Sequence, residues 1–553
     1  MGGGGANSLN SPETGDNRDL ETQNQVWENP TYKSFEDYFT DFNITKDTIT
    51  EEDLTGVGSE TNPYVVHSTR GFLWLTNHSL SKIYLGNKFI ELACDIVLNE
   101  EHFDENGVPY GGDGNVYEWE AIQFGKISIN GNFHTIKGMW QKKETAEEDR
   151  VGFMGYGHIQ EKIKNINFDN IFVKNDIDSG VYAISYRSNE ISNCNVLSGV
   201  VMGKNEVAGF CFITYNILNC NNYAKVISDT TDAAGLTMRH IGNMHNCNNF
   251  GDIFSYKNTI NTVSRVAGLV YQVSDIEASI SKCNNYGKIY GKGYYVAGIV
   301  VFLKKGKVFY CNNYGKLEAE NGTAGGIVAS VYGTQTFTTI SNCSNYGKII
   351  CKSNYHWSGE IVGFYGADDN SVGENPLTIS CCKGFSSSPC GLTGRVFEKL
   401  VIRDCILDKY FPTEEKKYTG LIVAIMQEQG SAEISNISIN IRSTNLTQLC
   451  FIYSSTQSNK VNIKNISYNL NCDSITHTRV TTFQGEMKID GCLFSMKVGG
   501  TTHKQYYGSD FSGYYVDFKT GKIGLKSHSG KGFYQGKVTE EFLLAKGYEK
   551  KAI

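Results

Sequence analysis

The sequence predicts an all-β fold, a right-handed parallel β-helix (solenoid) of about a dozen coils with capping elements at both ends. Three observations carry the prediction. A motif of the form Ile-x-x-Cys-Asn-Asn-Tyr-Gly-Lys-Ile returns along the chain, and a second motif, Val-Ala-Gly-Ile, lies between its copies. The 553 residues include 33 Tyr, 29 Phe and 59 Gly but only 7 Pro. Aromatic and β-branched residues favour strands, glycine serves tight corners, and proline would remove a ladder donor.

The first motif runs through Ile191-Ser-Asn-Cys194, Ile217-Leu-Asn-Cys220-Asn-Asn-Tyr223 and Met244-His-Asn-Cys247-Asn-Asn-Phe250. It continues in Ile280-Ser-Lys-Cys283-Asn-Asn-Tyr286, Val308-Phe-Tyr-Cys311-Asn-Asn-Tyr314 and Ile340-Ser-Asn-Cys343-Ser-Asn-Tyr346. The second appears as Val207-Ala-Gly-Phe210, Ala234-Gly-Leu236, Val266-Ala-Gly-Leu269, Val296-Ala-Gly-Ile299 and Thr323-Ala-Gly-Gly-Ile327. The spacing varies, as expected of a constant coil carrying loops of changing length. Apolar residues come in short alternating runs and not at helical spacing. Stacking coils about 4.8 Å apart lays like on like, which predicts columns of Ile, Cys, Asn and Tyr. The Asn-Asn-Tyr columns are expected to be buried scaffold. The Ala-Gly step is where a strand turns with little room for a Cβ.

Degenerate coils extend the array to Ile127–Ile136 and Ile163–Ile166 upstream, and to Ile402–Cys405, Ile434–Ile437, Ile463–Ile466 and Ile489–Cys492 downstream. The division expected is a flexible docking segment over 1–50, a cap with the first strands over 51–125, the main solenoid over 126–395, degenerate coils over 396–500 and a closing cap over 501–553. Residues 1 to about 30 hold few apolar positions, a composition that favours disorder. The stretch from Trp27 to Phe42 sets Trp27, Tyr32, Phe35, Tyr38 and Phe39 among acids, as a short docking element would. Phe72-Leu-Trp-Leu75 is expected as a capping helix, since open solenoid ends need covering. Thr539 to Gly547 has the cap, acidic first turn and terminal glycine of a helix.

Charge narrows the partners. Lys and Arg number 51 against 58 Asp and Glu, a net charge of −7. A nucleic-acid surface needs clustered cations, so no nucleic-acid partner is expected. No stretch is apolar enough to insert in a membrane. The opening MGGGGANSLN lacks the pattern of a signal peptide, so the chain is expected to stay where it is made. The 16 Cys include Cys194, Cys220, Cys247, Cys283, Cys311, Cys343 and Cys381, one per repeat. That placement suits reduced thiols stacked as small apolar side chains better than a disulfide framework. Paired ligand spacings for zinc and the loop pattern for calcium are missing, so neither metal nor cofactor is expected.

Further residues resemble a known family. Gly56-Val-Gly-Ser-Glu-Thr-Asn-Pro-Tyr64 resembles the opening of GLUG-motif proteins, with Ser59 in place of their Thr. Lys88-Phe-Ile-Glu-Leu-Ala-Cys-Asp-Ile-Val-Leu98 resembles their next strand, with Val97 in place of an Asp. Ile129-Asn-Gly-Asn-Phe-His-Thr-Ile136 resembles a third element, with Phe133 in place of a Gly, and Val151-Gly-Phe-Met-Gly155 a fourth. With the coils, the resemblance spans about residues 56–385. It implies a fold more than an activity. Family members include bacterial surface adhesins and protease-associated domains, and similar arrays occur in tail proteins of phages of gut bacteria.

Catalysis finds no named residues. Glu318, Glu320, Glu360, Asp229 and Asp232 lie near coil boundaries, but none is seen to recur at a matching position in an adjacent coil. Tyr294, Tyr295, Tyr355, His356 and Trp357 sit in the variable stretches, where a rigid rod would present aromatics to a sugar or a protein. The leading expectation is a non-enzymatic structural and receptor-recognition protein of a phage virion, such as a tail fibre, spike or tail-attached appendage. It would join other tail proteins through its N-terminus, bind a host surface glycan or protein, and form a homo-oligomer, a trimer by analogy. A bacterial cell-surface adhesin is the alternative, and a polysaccharide-cleaving spike the second.

Overall fold

The computed structural model describes Trp27 and residues 29–524, apart from short stretches of which the longest are 81–86, 145–150, 257–263, 333–337, 353–357, 367–375, 412–419 and 508–514. The helix expected at 539–547 lies outside the described residues. Strands make up 57% of the chain and helix 4%, stacked in parallel as a β-solenoid of about 11 turns.

The coil at Ser279–Leu303 shows the plan: strands at Ser279–Ser281, Asn284–Asn285, Ile289–Gly291, Tyr295–Ala297 and Val300–Leu303. Each pairs in parallel with the same strand one coil away. The apolar start of the motif points inward in every coil, so Ile163, Ile191, Ile217, Met244, Ile280, Val308, Ile340 and Ile379 form one buried column. Burying an aliphatic side chain of this size stabilises by roughly 1.5–3 kcal/mol, so the column is a main source of cohesion.

Two residues later the chain turns through a left-handed position. Asn193, Asn219, Asn246, Lys282, Tyr310, Asn342, Cys381 and Asp404 all have φ between 52° and 57°. Asparagine tolerates that conformation best among residues with a Cβ. This register corrects one expectation. Cys381 occupies the turn and is exposed, whereas Cys382 continues the thiol column, because Ile379 pairs with Ile340. The column is therefore Cys194, Cys220, Cys247, Cys283, Cys311, Cys343, Cys382 and Cys405, all buried free thiols.

The Ala-Gly step behaves as expected. A Cβ on Gly209, Gly235, Gly268 or Gly298 would lie about 2.0 Å from the carbonyl oxygen of the next coil's glycine, far inside contact distance.

Of the flexible docking segment expected over 1–50, Trp27 and residues 29–50 are described, and these pack against the cap. Thr31–Lys33 pairs in parallel with Asn115–Tyr117, and helix α1 (Phe35–Asp41) follows. Ser34 and Asp37 form its capping box, with the Ser34 amide 2.6 Å from Asp37 Oδ2. Helix α2 (Thr69–Trp74) is the expected cap. Ser68 accepts from the Gly71 amide at 3.0 Å, and Phe72, Leu73 and Leu75 are buried. At the other end the strands lengthen: Ser431–Ser454 and Lys460–Arg479 run as long parallel strands, and Asn436 and Asn465 keep the left-handed turn within them at φ 55°. Thr501–Tyr507 then pairs antiparallel with Cys492–Val498.

Candidate functional site

Three asparagine columns run along the main array. Before the Cys, Asn246 donates to Asn219, Asn219 to Asn193 and Asn193 to Asn165, at 2.9–3.0 Å. After it, Asn312, Asn284, Asn248, Asn221 and Asn195 each donate from Nδ2 to the Oδ1 one coil back, at 2.8–2.9 Å. One residue further on, the buried Asn222, Asn249, Asn285 and Asn313 donate the opposite way, each to the coil ahead. Each amide of this buried column also holds a nearby carbonyl, as Asn285 holds that of Gly287 at 2.9 Å.

The aromatic residue after those asparagines corrects the expectation that the whole column is scaffold. Tyr223, Phe250, Tyr286, Tyr314 and Tyr346 are each 37–45% exposed. Their rings stack face to face along the rod, Phe385 included, with centroids 4.5–4.9 Å apart and planes within 13°. The buried Asn fixes the inward direction, so the next residue points out. Faces stacked along the rod leave ring edges toward solvent, and phenol groups repeat at the coil spacing. Leu197 and Asp408 occupy the ladder position in the flanking coils, so the ladder has defined ends. Pockets of stacked aromatics are common anchors of recognition.

A second candidate lies at the Val-Ala-Gly corner. The outward residue before that motif is Glu206, Asp232, Arg265 and Tyr295 in four successive coils. Ala208, Ala234, Ala267 and Ala297 form the floor beside them, and Phe212, Met238, Tyr271 and Phe302 the facing wall. Arg265 Nη1 lies 3.3 Å from Asp232 Oδ2 and 2.5 Å from the Tyr271 hydroxyl, and its guanidinium stands over the Phe302 ring. Burial pushes the Asp232 carboxyl up to about 7 against the pull of Arg265, with Glu206 adding to the rise. Burial likewise raises Glu206, opposed by Arg239 and Arg265. Glu206 and Asp232 are carboxylates at matching positions in adjacent coils, a pairing not expected from the sequence.

The residues singled out from sequence are dispersed. Tyr294 is 48% exposed, while its neighbour Tyr295 turns to the groove and meets Phe302 edge-on at 5.2 Å. Tyr355, His356 and Trp357 lie outside the described residues. The expected docking aromatics pack on their own cap. Phe35 and Tyr38 are buried, against Trp119 at 5.5 Å and Tyr117 at 4.3 Å. Phe39 packs partly against the same core, and the Trp27 indole donates to the Gly111 carbonyl. Tyr32 stacks on Trp140 at 5.0 Å but stays half exposed. Apolar contact with the first coil outcompetes solvent for these rings.

No family model and no curated protein matches the chain. A solved structure from Bacteroides ovatus, provisionally named an immunoglobulin A1 protease, is similar over 48% of this chain and 79% of its own, at 18% identity and a TM-score of 0.37.

Proposed function

We propose that the protein is a structural and receptor-recognition rod of a phage virion, a tail fibre, spike or tail-attached appendage. The observation that carries this reading is the exposed ladder from Tyr223 to Phe385. The outer edge of the stack stays in solvent, and its regular spacing suits an extended partner lying along the rod. Weak contacts repeated at fixed spacing add through effective concentration. Residues 56–385 resemble GLUG-motif proteins, whose members include bacterial surface adhesins and protease-associated domains, and similar arrays occur in phage tail proteins; the last of these supports the same reading.

Two measurements test it. Proteomics of purified particles from the source should find the chain; its presence on the cell envelope and absence from particles would overturn the virion assignment. Binding of the full chain to source-host cells should fall at least tenfold in Tyr286→Ala/Tyr314→Ala, with thermal unfolding near that of the wild type. Unchanged binding removes the ladder as the recognition surface.

A further inference from the structure

We propose that the corner groove around Glu206, Asp232, Arg239 and Arg265 is a second binding site, for a neutral hexose unit of a polysaccharide. It rests on the reading of the rod as a recognition protein, but on a different face and different residues from the ladder.

The corner holds unused hydrogen-bonding capacity. Asp232 is 4% exposed, and its Oδ1 has no hydrogen-bond partner, nor has Arg265 Nε. A buried carboxylate oxygen left without a donor costs free energy. Among the described residues, the side chains of Glu206 and Arg239 form neither a hydrogen bond nor an ion pair, although Arg239 lies over the Phe212 ring. Nothing in the coil requires these charges, since the same column continues with Tyr295 and Thr323.

The charges also select the ligand class. Acceptors from Glu206 and Asp232 stand beside donors from Arg239 and Arg265, so the cluster is balanced in charge. A free cation meets two guanidiniums and a free anion meets two carboxylates, and neither gains. Adjacent sugar hydroxyls donate and accept at once, which matches carboxylate and guanidinium side by side. The rings of Phe212, Tyr271 and Phe302 are buried beneath the Arg239 and Arg265 guanidiniums, so a pyranose would rest on the guanidinium planes. Acid and base positions one coil apart, about 4.8 Å along the axis, suit hydroxyls of one ring.

The test applies the full-length chain to a printed array of neutral and uronate-bearing oligosaccharides, followed by calorimetric titration with the strongest neutral binder. Wild type should bind a neutral oligosaccharide. Asp232→Asn, which preserves shape, and Arg239→Ala, at an exposed position, should each weaken it at least tenfold, while Lys399→Ala, exposed on a later coil, should leave it unchanged. An array that is silent, or that responds only to uronates, overturns the proposal. So does binding that survives both groove variants. Loss of host-cell binding in Tyr286→Ala/Tyr314→Ala with none in Asp232→Asn would sink this site and leave the recognition reading standing.

Discussion

Asn345 Nδ2 donates to Glu360 Oε2 at 2.7 Å, and that bond ends the buried amide column. The next coil offers Gly384 where an asparagine would stand, and the Glu360 side chain fills the vacated space against it. Lys409 Nζ neutralises the carboxylate at 2.6 Å, both groups with no exposure, and also donates to the Ser388 carbonyl at 2.6 Å. Glu360→Ala strands a buried ammonium and an amide, and should destabilise by about 3–5 kcal/mol. Glu360→Leu/Lys409→Met should recover most of that loss. Urea unfolding of the three proteins checks the ordering.

The two columns flanking Tyr286 differ in worth. Asn285→Ala removes a donor and an acceptor from a water-free line and should cost about 1–3 kcal/mol for each group left unmet. Asn284→Ala breaks partly solvated bonds, which water replaces, and should cost under about 1 kcal/mol. Equal losses in melting temperature would show that burial does not set the difference.

Lys282 and Tyr310 hold the left-handed turn at φ 53° and 56° where their neighbours place asparagine. Tyr310→Asn and Lys282→Asn relieve part of a cost of about 1–2 kcal/mol per residue. They also rejoin the amide line that stops at Asn246. Each should raise the melting temperature, and a fall in both would contradict the account.

Two buried groups make stability depend on pH with opposite signs. Burial lowers His240 to about 4, so the unfolded chain takes its proton first. Stability from this site is complete above about 6.5 and is lost as pH falls toward 4, on the order of 3 kcal/mol. Asp232 is raised to about 7, so the native state holds the proton longer, and stability falls as pH rises from about 4 to 7. His240→Val, copying Val273 in the paired position, should flatten the acid limb. Asp232→Asn should flatten the other. Melting curves from pH 4 to 8 decide both.

The inward Ile and Cys columns were legible because alternation and the repeat agree on which side is apolar. Cys382 was missed because Ser380-Cys381-Cys382 offers two thiols, and only the left-handed turn after Ile379 and Ser380 decides between them. The outward Tyr was missed for a related reason. The turn resets the alternation, so an aromatic after two asparagines reads as core when it faces water. Glu206 and Asp232 stand at the same distance after Cys194 and Cys220, so the repeat aligns them; neither belongs to a motif, and the burial of Asp232 beside Arg265 arises only in three dimensions.

The buried amides of Asn222, Asn249, Asn285, Asn313 and Asn345 are chemically interchangeable, so strands paired one coil out of phase would satisfy nearly all of them. What distinguishes the correct stack is its boundary. Val196 lies below the column and Gly384 with Glu360 above it. A chain slipped by one turn would press an amide on valine methyls at one end and leave the Glu360–Lys409 pair without its amide at the other. The array thus keeps count of its own repeats, and it does so only where the repeat breaks.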